Sequence, residues 1–166
     1  MNLLPLPNEV STNEWFVIIS LIVSYSVFFF LPRRKFPMSI IILILLFSAT
    51  ISRIADHLFA GPPLDLYDLM DNGNFEMFDI LTYLLYGPFA LFFIYLYEKF
   101  KIKQIYTFLY IMAFSIFSVV YEWITVLFGV FTFKEWRSIY SFPVYLFVQS
   151  LIILYYHLLK LFIKCK

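Results

Sequence analysis

Hydrophobic residues in this chain run in five long blocks, Trp15 to Leu31, Met38 to Phe59, Phe75 to Tyr97, Ile105 to Phe131 and Ile139 to Ile163. Each block approaches or exceeds the roughly 20 residues that a helix needs to cross a hydrocarbon layer of ~30 Å. The pattern predicts an all-α integral membrane bundle of five transmembrane helices, organised as one domain over residues 1–166 with no internal repeat. The longest polar interruption is the loop 60–74, AGPPLDLYDLMDNGN. Its Leu64, Leu66, Tyr67, Leu69 and Met70 intersperse with Asp65, Asp68 and Asp71, which predicts a short interfacial helix stopped by Asn72-Gly73. Pro37 falls at the start of the second helix, where its missing N–H costs nothing. Gly87-Pro88 and Pro143 fall inside the third and fifth helices and predict bends there.

Composition agrees with a bilayer as the solvent, because 63% of residues are hydrophobic and only 14% are charged. The basic residues then orient the bundle, since cytoplasmic loops carry the excess of Lys and Arg. Arg33, Arg34 and Lys35 follow the first block, Lys99, Lys101 and Lys103 the third, and Lys160, Lys164 and Lys166 end the fifth. Only Lys134 and Arg137 lie on the other side, with Arg53 inside a block. The expected topology has the N-terminus outside, the C-terminus cytoplasmic and the loop 60–74 outside. Most acidic residues sit at the outer boundary, so a net charge of +1 conceals a dipolar layout.

Three-residue basic clusters beside membrane blocks read as topological anchors against anionic lipid, and nucleic acid is not an expected partner. The first fourteen residues contain no Lys or Arg and the basic cluster follows the first block, so no cleaved signal peptide is expected. Cys165 is the only cysteine; it implies neither an internal disulfide nor a multi-cysteine metal site. The spacing of Asp65, Asp68 and Asp71 does not match the alternate-residue ligands of an EF-hand loop, so no metal is assigned.

Candidate chemistry lies among the polar residues inside the blocks, because a charge at mid-membrane costs about 2.5 to 3.5 kcal/mol on insertion scales. Arg53, Asp56 and His57 share one face of the second helix at i, i+3 and i+4. Asp79 continues through Tyr83, Tyr86 and Gly87 in the third helix. The fourth carries Ser115, Ser118, Glu122 and Thr125, and the fifth Ser141, Tyr145 and Gln149. At 1.5 Å per residue Arg53 lies about six residues, Asp79 about four and Glu122 about nine from the outer ends of their helices. A common polar site in the outer half is therefore expected, built from Arg53, Asp56, His57, Asp79, Tyr83, Glu122, Tyr145 and Gln149.

With all its carboxyls ionised and His57 neutral, that group of residues would carry a net charge of −2. Burial then requires protons on one or two carboxyls, a charged His57, or a cation among them. The expectation is that Arg53 pairs with Asp79 or Asp56 and that Glu122 holds a proton. The same stripes can also act only as links between helices, at about 0.6 kcal/mol per contact. Aromatic residues make up 23% of the chain, more than two interfacial belts require. Tyr83, Tyr86, Tyr121 and Tyr145 are deep enough to line an apolar cavity with hydroxyl handles, or simply to pack between helices.

There is no Gly-rich phosphate loop, no His-Glu-x-x-His and no Gly-x-Ser-x-Gly. An enzyme built on this chain would depend on carboxylate and His57 acid–base chemistry with a membrane-soluble substrate such as a lipid. The favoured expectation is instead non-enzymatic: binding or moving a small cation, a proton or a lipophilic ligand. The third alternative is an accessory subunit of a membrane complex. No cofactor is implied. The partners left open are membrane lipids, a second copy of the chain, and a membrane partner protein.

The segments Tyr121-Glu122-Trp123, Gly129-Val130-Phe131, Trp136 and Tyr140-Ser141-Phe142-Pro143-Val144-Tyr145, with the Asp79 to Tyr83 stretch before them, resemble a family of small multi-spanning membrane proteins of spore-forming Gram-positive bacteria. The resemblance covers most of the chain and implies location in a bacterial plasma membrane. It implies no activity, and the family supplies no catalytic residue to carry over.

Overall fold

The computed structural model describes residues 11–30, 36–70 and 77–164. They form five helices, α1 (Thr12–Phe30), α2 (Met38–Phe59), α3 (Met77–Lys99), α4 (Ile105–Leu127) and α5 (Ser138–Lys164), with two short strands, β1 (Tyr67–Leu69) and β2 (Phe131–Phe133). All five helices are long and apolar enough to cross a membrane, and the protein is a polytopic helical membrane protein. The basic cluster Arg33 to Lys35, the turn at Asn72-Gly73 and Cys165 lie outside the described residues.

Helix α3 is the axis of the bundle. Within its apolar stretch 61% of residues are buried, against 22% or less in the other helices, which turn their apolar surfaces outward. It packs closely on α2 and α1 and more lightly on α5, while α4 leans on α5. Gly87 permits the close α2–α3 approach, since a Cβ there would lie 2.5 Å from Leu45 Cδ2. Pro88 lies inside α3 and cannot donate a hydrogen bond to the carbonyl of Leu84. The Tyr25 hydroxyl of α1 donates to that oxygen at 3.3 Å, so a neighbouring helix supplies what the proline removes. At the start of α1 the Ser11 backbone N–H donates to Glu14 Oε2 at 2.7 Å, one half of a capping box.

Two apolar cores result. One joins Ile40, Ile44, Leu91, Ile94, Ile152 and Tyr156 toward the end of the bundle that bears Lys99 and Lys160. At that end Lys160 meets Glu98 at 2.8 Å. The other core joins Val17, Met70, Phe78, Leu85 and Val130 beneath the strands.

The strands correct two expectations. The loop 60–74 does not form an interfacial helix in its described part, and the fourth helix stops at Leu127 rather than running to Phe131. Tyr67-Asp68-Leu69 and Phe131-Thr132-Phe133 each alternate apolar, polar, apolar, the period of a strand. They pair antiparallel with Tyr67 opposite Phe133 and Leu69 opposite Phe131. Gly129, at φ 73°, turns the chain out of α4 into β2, and positive φ at Asp65 (46°) and Met70 (54°) is incompatible with a helix around β1. Three backbone N–H groups, of Lys134, Glu135 and Trp136, converge on the Leu66 carbonyl at 3.0, 3.1 and 3.1 Å and tie the ribbon shut at its far end.

Replacing Tyr25 by Phe strands the Leu84 carbonyl and is expected to destabilise the bundle by about 0.5–1 kcal/mol. Reversible unfolding in mixed detergent micelles measures this loss.

Candidate functional site

Between the two cores, and roofed by the ribbon, lies a cavity of about 190 Å³. Its deeper wall is apolar, formed by Phe89, Phe93, Phe114, Phe117 and Ile152. Its roof is aromatic, with Tyr67, Phe131, Phe133 and Trp136. The Tyr67 ring meets Phe131, Phe133 and Trp136 edge-on at centroid distances of 5.7, 6.4 and 5.9 Å. Polar groups enter from α2 and from the α4–α5 interface.

On the α4–α5 side the carboxylate of Glu122 is fully partnered. Ser141 Oγ donates to Oε1 at 2.6 Å and the Tyr145 hydroxyl to Oε2 at 2.7 Å. Trp136 Nε1 in turn donates to Ser141 Oγ at 2.8 Å, so a relay leads from the roof to the carboxylate. One turn further along, Gln149 Nε2 donates to Ser118 Oγ at 3.0 Å, and Ser115 Oγ donates to Gln149 Oε1 at 3.1 Å. The polar stripes of the fourth and fifth helices thus close on each other, as hydrocarbon-embedded polar groups must.

On the α2 side Asp56 is 6% exposed and faces the cavity. The Tyr67 hydroxyl donates to Asp56 Oδ1 at 2.5 Å. Burial, followed by the neighbouring Asp56 carboxyl, holds the Tyr67 phenol above its usual range, so it remains a protonated donor. Asp56 Oδ2 has no hydrogen-bond partner among the described residues. Above the roof Lys134 Nζ lies 2.8 Å from both Asp65 Oδ1 and Asp68 Oδ1. Those two hydrogen bonds raise the Lys134 pKa, Asp65 contributing first.

Of the residues that sequence spacing groups into one site, Asp56, Glu122, Tyr145 and Gln149 line this cavity. Arg53, His57, Asp79 and Tyr83 do not. Arg53 and His57 are exposed, whereas Asp79 and Tyr83 are buried on α3. Arg53 Nη1 donates to the Tyr83 hydroxyl at 3.0 Å, and its guanidinium lies 5.5 Å from the centre of that ring. The division of the α2 face has a geometric cause: successive helical residues are about 100° apart, so Asp56 and His57 fall on opposite sides of Arg53. The buried stripe is Ser48, Ser52 and Asp56, at steps of four. Those two serines were the sequence signal for which way Asp56 points. Tyr67, Ser141 and Trp136 also belong to the site. Tyr67 had no such signal, because its role depends on the ribbon.

The cavity and its half-partnered carboxyl define the class to which this chain belongs: a polytopic helical membrane protein with an internal, aromatic-walled pocket. Compared with models of known families, with curated proteins and with solved structures, the chain matches none.

Tyr67→Phe removes the donor to Asp56 and leaves a buried carboxyl with no hydrogen-bond donor to its side chain among the described residues, a cost of about 1–3 kcal/mol. Amide exchange across residues 66–69 and 130–136 is expected to quicken at least tenfold. Lys134→Met, which alters only exposed ion pairs, is expected to leave it nearly unchanged.

Proposed function

We propose that this protein binds a small lipophilic ligand or cation in the cavity beneath the ribbon. The observation that carries the reading is a void of about 190 Å³ with a buried, unpartnered carboxylate oxygen at its edge. No side chain fills that volume, and its mostly apolar wall with a few polar groups at the edge is the make-up of a ligand pocket. A bundle shaped only for stability would leave no carboxyl oxygen buried without a donor. The volume slightly exceeds the ~150 Å³ of an engineered cavity that accepts benzene, which sets the ligand's scale at a ring plus a few atoms.

We further infer that the N-terminus faces outside and the C-terminus the cytoplasm, so that the ribbon roofs the cavity on the outer side. The support is the concentration of Lys and Arg at the opposite end. The resemblance to membrane proteins of spore-forming Gram-positive bacteria supports a bacterial plasma membrane as the location.

In lipid nanodiscs the protein is expected to take up propylbenzene above the partitioning shown by empty discs. Val148→Trp places an indole within the cavity wall and is expected to abolish that uptake with helical content unchanged. Equal uptake by wild type and variant would contradict the reading.

A further inference from the structure

The chemistry of the cavity wall specifies the ligand's head group. The residues that line it include two carboxyls, Asp56 and Glu122, and no Lys, Arg or His among the described residues. Glu122 has a donor on each oxygen, from Ser141 and Tyr145. Asp56 has one donor, Tyr67, and an Oδ2 that is buried and unpartnered. As a carboxylate, Asp56 calls for a hydrogen-bond donor at Oδ2, and the ionisable side chains that line the cavity beside it are acidic or phenolic, with no Lys, Arg or His among the described residues. Arg53, three residues before Asp56 on α2, is exposed and donates to the Tyr83 hydroxyl.

A metal ion is poorly served here. No three His, Cys, Asp or Glu side chains cluster among the described residues, and hard cations want six or more oxygen ligands. A compact ammonium asks for less. It can place one N–H on Asp56 Oδ2, in a cavity that the rings of Tyr67, Tyr86 and Trp136 also line. The adjoining cavity then accepts an apolar body of the size the volume allows.

Resting on the reading that the cavity binds a ligand, we propose that its ligand class is the small amphiphilic amine: a protonated primary or secondary ammonium held at Asp56 Oδ2, with a phenyl-sized apolar body in the adjoining part of the cavity. The carboxylate and the ammonium neutralise each other, so the complex carries no additional charge into the bundle. The apolar body gains what a ring gains on leaving water, and the ammonium supplies the selectivity.

Three isosteric probes test this in nanodiscs by titration calorimetry, with empty discs subtracted: 2-phenylethylammonium, 2-phenylethanol and propylbenzene. A charge-assisted hydrogen bond is worth roughly tenfold or more in affinity, so the ammonium is expected to bind at least tenfold tighter than either neutral probe. Asp56→Asn is expected to erase that margin while propylbenzene binds as before, which also shows the variant's cavity to be intact. If the variant does not fold, the ranking of the three probes on the wild-type protein decides alone. Should 2-phenylethanol match the ammonium, or should Asp56→Asn leave the ammonium's affinity unchanged, the cation class is overturned and the cavity reading stands. Should none of the three bind, both fall.

Discussion

The hydrogen bond from Tyr67 to Asp56 is the contact on which the rest of the site depends. It partners a buried carboxyl, at a depth where an unpartnered polar group costs more than most single packing contacts return. It draws its donor from outside the helices, so the ribbon that carries Tyr67 is held over the end of the bundle. That ribbon also brings Trp136 and, through it, the relay to Ser141 and Glu122. One short contact thus couples the roof, the α2 carboxyl and the aromatic lining into a single arrangement.

Around it the helices divide their tasks. α3 is buried along most of its length and fixes its neighbours through Gly87 and through the Leu84 carbonyl freed by Pro88. α4 and α5 join through a polar network in which Glu122 is satisfied at both oxygens. α2 contributes a carboxyl that is satisfied at one. A carboxyl with a donor on each oxygen on one wall and a half-partnered one on the other make an asymmetric site.

Much of this architecture was legible in the chain. Five apolar blocks translate directly into five helices because a bilayer leaves backbone groups no other partner. The stripes Ser115-Ser118-Glu122-Thr125 and Ser141-Tyr145-Gln149 survive as one interface for the same reason. The ribbon was not legible. Three-residue strands carry too few positions for periodicity to outweigh the apolar content of their surroundings, and their pairing joins segments more than 60 residues apart. Arg53 and His57 do not line the cavity with Asp56, because residues at i, i+3 and i+4 span about 100° of helix surface, wide enough to straddle the boundary between core and exterior. Ser48 and Ser52, at four-residue steps, mark that boundary more sharply than charge does.

The most direct test of the central claim is an experimental structure in lipid with 2-(4-bromophenyl)ethylammonium, phased at the bromine edge. The account predicts an anomalous peak inside the cavity, within a ligand's length of the ammonium against Asp56 Oδ2 and beneath an ordered ribbon. Bromine confined to the lipid-facing surface, over an interior closed by side chains, would contradict it.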